Sequence, residues 1–180
     1  FAYDARLFLD ELGVRRAAVV GHSMGSMVAI SLAADHPDRV SKVVLIGSTA
    51  LVPVKRGDWL YDNVAAMKGP LNPNTQFAKD WHPANQPTPV DTAFASAVND
   101  ELYAIPSHVW HGVIREISYV PVGRHAADVQ APVLVISGGK DPIFPAEHHR
   151  SLLEVFPHAQ AKVFAELGHN PNWENPREIA

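Results

Sequence analysis

The chain has 180 residues, a formal net charge of -4, 47% hydrophobic residues and no cysteine. That balance allows one domain with a sizeable core and excludes wholesale disorder and a basic nucleic-acid face. Without cysteine there are no disulfides, thiolate metal sites or cysteine nucleophile, and a reducing, cytoplasmic setting is the expectation. No apolar run approaches the length of a membrane span.

The first predicted element is a helix in FAYDARLFLDELG, with Tyr3, Leu7, Phe8 and Leu12 near helical spacing and Gly13 as its stop. A short apolar strand, AAVVG at 17–21, follows, then a helix over 24–34 with Met27, Ile30 and Ala34 on one side. A second strand is predicted at 40–47. Beyond it, residues 51–129 hold most of the prolines and three of the four tryptophans. That region reads as helices (58–68, 90–102 and 107–118) rather than strands, because so long a structureless loop is improbable inside a domain. Strands return at 132–138 and 161–167, with a helix from about Pro145 between them. At the end Asn175 is placed to cap a helix, with Pro176 at its first position and Glu178 at its third. The pattern predicts an α/β fold of about four parallel strands flanked by helices: core at 1–50 and 130–180, helical cap at 51–129. The chain opens within a helix pattern and closes within another, so both ends read as cut, and any signal peptide would lie out of view.

Between the first strand and the following helix stands Gly21-His22-Ser23-Met24-Gly25, a G-x-S-x-G pattern. Alone it is a weak signal. A strand before and a helix after raise it, because a sharp strand-to-helix turn holds the serine hydroxyl clear of the sheet at the positive end of the helix dipole. The flanking glycines are expected to leave room in that turn. A hydroxyl needs a base within hydrogen-bond reach, and the base needs an acid to hold its tautomer. His169, in the loop after the last strand, and Asp141, after the preceding one, fall at the same sheet edge. Asp141-Pro142 is also an ordinary turn pair, and Glu166 is a distant second candidate for the acid. The order Ser23, Asp141, His169 fits a nucleophile, acid and base carried on three strands.

On VVGHSMGS, DHPDRVSKVVLIGS, APVLVISGGKDPIFP and LGHNPNWENP the sequence resembles the α/β-hydrolase superfamily, in its serine-nucleophile branch with a helical cap. The resemblance implies a hydrolase acting on an ester or related acyl bond of a small, moderately apolar molecule, with no cofactor and no metal. It implies that the Met24 N–H is one oxyanion donor and that the second lies in a loop upstream of Phe1. The 180 residues alone are therefore expected to be inactive or poorly folded. Carbon–carbon bond hydrolysis, lactone opening, acyl transfer, haloperoxidase-like chemistry and a ligand-binding receptor use the same scaffold. His22 beside the nucleophile is open between substrate contact and packing. His108, His111, His148 and His149 are read as packed or solvated rather than as metal ligands. Trp59, Trp81, Phe94, Tyr103 and Trp110 are read as either pocket wall or cap core.

Overall fold

The structure, a computed structural model, describes residues 1–81, 86–119 and 122–180, so residues 82–85 and 120–121 of the expected cap lie outside it. Its frame is a parallel sheet of β1 (Ala17–His22), β2 (Val40–Ile46), β3 (Val133–Gly138) and β4 (Gln160–Phe164), in that spatial order. Gly21, Leu45, Val135 and Ala161 lie side by side across it. β2 and β3 are nearly continuous β-branched and leucine runs, the composition of strands covered on both faces. Their side chains alternate accordingly. Val43, Leu45, Val133 and Val135 enter one apolar cluster, while Ile46 and Ile136 join Phe164 and Leu167 in a second. β4 is the exposed margin, ending three residues before the predicted strand does, and Lys162 sits on it as edge strands favour.

Ten helices accompany the sheet among the described residues: α1 (Ala2–Glu11), α2 (Met24–Asp35), α3 (Trp59–Ala65), α4 (Gln76–Asp80), α5 (Thr92–Ala104), α6 (Ser107–Ile117), α7 (Gly123–Ala126), α8 (Ala146–Val155), α9 (Pro171–Glu174) and α10 (Pro176–Ile179). α2 is buried around most of its circumference, through Ser26, Met27, Ala29, Ile30, Leu32 and Ala33. The helix at the start forms as read. Tyr3, Leu7, Phe8 and Leu12 are exposed, whereas Ala2, Ala5 and Leu9 pack on the core. α10 differs in detail. The Asn175 side chain makes no cap to the backbone; its amide donates instead to Glu178 Oε2 at 2.8 Å.

The helices α3 to α7 fall between β2 and β3 in the chain. Val54, Val64, Leu71, Phe77, Ala78 and Ile114 form a cluster of their own there, with Trp81, Tyr103 and Trp110 packed against it. Val122 and Ala126 turn back to the sheet layer. Because all four strands are parallel, their carboxyl ends share one edge. There the chain leaves β1 into Ser23, β2 into Gly47, β3 toward Asp141 and β4 toward His169.

Candidate active site

At Ser23 the backbone takes φ 51° and ψ -123°, the one positive φ outside glycine among the described residues. Such a conformation costs about 1–3 kcal/mol and persists only where the surroundings impose it. They do so here. The Ser23 N–H donates to the Ile46 carbonyl at 2.9 Å, and α2 begins at once with Met24. Gly21 is required for the turn, since a Cβ there would lie 2.4 Å from the Gly25 carbonyl oxygen. Gly25 is not required in that way, for a Cβ on it would meet nothing within 4 Å. The Met24 N–H lies in the first turn of α2, where amides have no partner inside the helix and aim at whatever sits above.

His169 Nε2 lies 2.8 Å from Ser23 Oγ, and His169 Nδ1 lies 2.8 Å from Asp141 Oδ2. A carboxylate only accepts, so Nδ1 carries the proton and Nε2 presents its lone pair to the serine hydroxyl. His169 and Asp141 are buried. Asp141 Oδ1 accepts from the N–H groups of Ile143 and Phe144 at 2.8 and 2.9 Å, which fixes the carboxylate plane. Burial pushes the Asp141 carboxyl up. The hydrogen bond and charge of His169, with those two amides, outweigh it and hold the group below its usual range. Glu166, the second candidate for the acid, is turned outward into an ion pair with Lys140 on the surface.

The floor under His169 is close-fitting. Gly47, at φ 51°, lies beneath it, and a Cβ there would fall 2.7 Å from the His169 carbonyl oxygen. Phe144 meets the imidazole edge-on at 5.1 Å and stacks on His148 behind it, whose Nδ1 is 2.8 Å from Thr49 Oγ1. Ser26 and Ser48 hydroxyls lie 2.6 Å apart under the elbow, and the Ser26 hydroxyl also reaches the Ser23 carbonyl. Ser26 has one proton, so when it donates to that carbonyl Ser48 must donate to Ser26.

His22 faces the same centre. Its Nε2–H donates to the His169 carbonyl at 3.0 Å, and its ring lies 5.3 Å from that of His169 and 5.6 Å from that of Trp173. Burial, aided by the neighbouring His169, lowers its pKa to about 4, against the opposing pull of its hydrogen bond and of Asp141. It is neutral near neutral pH, donates this hydrogen bond and lines the cavity over Ser23.

A cavity of about 540 Å³ opens on Ser23 and His169, walled by Trp59, Trp81, Leu102, Ile143 and Trp173. Of the five aromatics read from sequence, Trp59 and Trp81 line it. Tyr103 and Trp110 belong to the helical cluster behind, and Phe94 packs edge-on to Trp173. Trp173 and Asn170 were not singled out from sequence, although both follow His169 within HNPNW. Among the described residues no three His, Asp or Glu side chains gather as a metal-holding group. No helix among them is long and apolar enough to cross a membrane.

The sequence pattern of the alpha/beta hydrolase fold family matches residues 1–176. A dihydrolipoyllysine-residue acetyltransferase component of an acetoin cleaving system from Cupriavidus necator is 32% identical over 186 residues, covering 96% of this chain and 46% of that protein. A 2-hydroxy-6-oxononadienedioate/2-hydroxy-6-oxononatrienedioate hydrolase from Paraburkholderia phymatum is 27% identical over 176 residues, covering 93% and 60%. The chain thus spans about half to three-fifths of the length of these curated relatives. Among solved structures, an esterase from Exiguobacterium antarcticum superposes with a TM-score of 0.83 at 17% identity, over 99% of this chain and 69% of that one.

Proposed function

The chain belongs to the α/β-hydrolase family, and from that premise we propose that it is the nucleophile-bearing part of a serine hydrolase that cleaves a carboxylic ester or related acyl bond. The observation that carries the reading is the unbroken line from Asp141 through His169 to Ser23, with 2.8 Å at each step. Ser23 attacks the carbonyl carbon while His169 Nε2 takes the hydroxyl proton. The Met24 N–H stabilises the oxyanion. His169 then gives its proton to the leaving alcohol, and Asp141 holds the imidazolium that forms in between. A water deprotonated by His169 attacks the acyl carbon and frees Ser23. The tryptophan-walled cavity, within the size range of small-molecule sites, supports a moderately apolar substrate.

Carbon–carbon bond hydrolysis is the second reading, favoured by the likeness to the Paraburkholderia phymatum hydrolase. Fluorophosphonate labelling of the protein, with Ser23→Ala and His169→Ala beside it, tests the nucleophile. Labelling that survives in Ser23→Ala would refute the assignment. Turnover of graded 4-nitrophenyl esters against a vinylogous 1,5-diketone acid then separates the two reactions.

A further inference from the structure

Glu174, at the end of α9, is buried at 6% exposure and takes no part in the reaction described above. A carboxylate there needs donors, and its donors come from two separate parts of the chain. The Gly168 N–H, next to the base, lies 2.8 Å from Oε1 and 3.0 Å from Oε2. The Thr88 N–H, in the segment leading to α5, lies 3.1 Å from Oε2. That segment roofs the cavity through Gln86 and Pro87. It meets the histidine loop at three further points, one of them the Thr88 hydroxyl 3.5 Å from the Glu166 carbonyl oxygen. Asn170 Nδ2 donates to Gln86 Oε1 at 2.8 Å, and the Pro87 ring sits so close over Gly168 that a Cβ there would fall 2.6 Å from Pro87 Cδ.

We propose that Glu174 is a positioning residue that fastens the cavity roof at 86–88 to the loop carrying His169, so that roof closure and base placement are one event. The inference rests on the hydrolase reading, whose base it positions. The logic is that of satisfaction. Two amide donors converge on one carboxylate, and among the described residues neither donates to another acceptor. With the roof seated, both Glu174 oxygens are engaged and the Gly168–His169 peptide is held at its working height above Gly47. With the roof lifted, the carboxylate gains access to water and its grip on Gly168 loosens. A substrate that braces the roof would thereby steady the base.

Hydrogen exchange and kinetics of Glu174→Ala and Thr88→Pro, the latter deleting the roof donor together with the Thr88 hydroxyl contact to Glu166, test this. Rates are normalised to active sites titrated with a fluorophosphonate, which removes any loss from misfolding. Glu174→Ala is expected to raise exchange at 86–90 and 166–170 together and to lower kcat at least about tenfold. Thr88→Pro is expected to raise exchange in both segments, to raise KM severalfold and to lower kcat in the same direction as Glu174→Ala by a smaller factor. Glu174→Gln, which keeps one acceptor oxygen, is expected to recover part of the kcat. Wild-type kcat per titrated site in Glu174→Ala, or faster exchange in one segment without the other, would overturn the coupling. Absence of fluorophosphonate labelling in the wild type would instead overturn the hydrolase reading. The exchange measurement would then still decide the fastening.

Discussion

Asp141 is where a single atom change is most informative. Asp141→Asn keeps the shape but offers His169 Nδ1 an amide that can donate, which favours the wrong tautomer at Nε2. We expect ester turnover to fall roughly a thousand- to ten-thousand-fold in kcat, read from steady-state kinetics, with thermal stability changed far less. His22 carries the clearest pH dependence. Its pKa is 6.5 in an unfolded chain and about 4 here, so the folded state disfavours the proton. Above the higher value the ring is neutral in both states and adds no pH dependence. As pH falls from there toward the lower one, the unfolded chain takes up a proton that the folded chain refuses, and up to about 3 kcal/mol of stability is lost. Urea unfolding at about pH 7 and about pH 4.5 should show that loss shrinking in His22→Gln, which can still donate to the His169 carbonyl.

At the scale of elements, the site is made by loops descending onto strand ends, and glycine decides how close they come. Gly47→Ala would place a methyl 2.7 Å from the His169 carbonyl oxygen at a backbone angle alanine disfavours. The expected outcome is destabilisation of about 1–3 kcal/mol in chemical unfolding and at least a tenfold loss of turnover as the histidine loop lifts. This geometry also explains what the sequence disclosed. Ser23, Asp141 and His169 were legible because each follows an apolar run and sits beside turn-forming glycine or proline, so sheet topology alone brings them to one edge. Glu174 was not legible. Its partners are main-chain amides of Gly168 and Thr88, and a main-chain amide looks alike at every position in a sequence. Which face of α1 packs was not legible either: periodicity marks a stripe as apolar, and here Ala2, Ala5 and Leu9 pack while Tyr3, Leu7, Phe8 and Leu12 are exposed. Trp173 was passed over because one turn of helix, α9, is too short for periodicity to register.

For the whole molecule, the uneven distribution of apolar surface matters most. Tyr3, Leu7 and Phe8 on α1, with Phe1 and Leu12 at its two ends, are exposed together with Val20 on β1, and β1 is hydrogen-bonded to a neighbour on one side only among the described residues. An open strand margin beside an apolar helix face favours self-association. The 180-residue chain is therefore expected to sediment as concentration-dependent oligomers and to bind a hydrophobic dye. Replacing Phe8 and Leu12 by glutamate should reduce both, whereas monodisperse, dye-silent wild type would contradict the expectation. The parallel sheet also has a consequence in time. Ser23 and His169 are 146 positions apart in the chain, and β2, β3 and β4 must all assemble before they meet. A ribosome delivers the alcohol 146 positions before the imidazole. Over that interval the hydroxyl has no imidazole beside it, and the Ser23–His169 hydrogen bond forms only after β4 has docked.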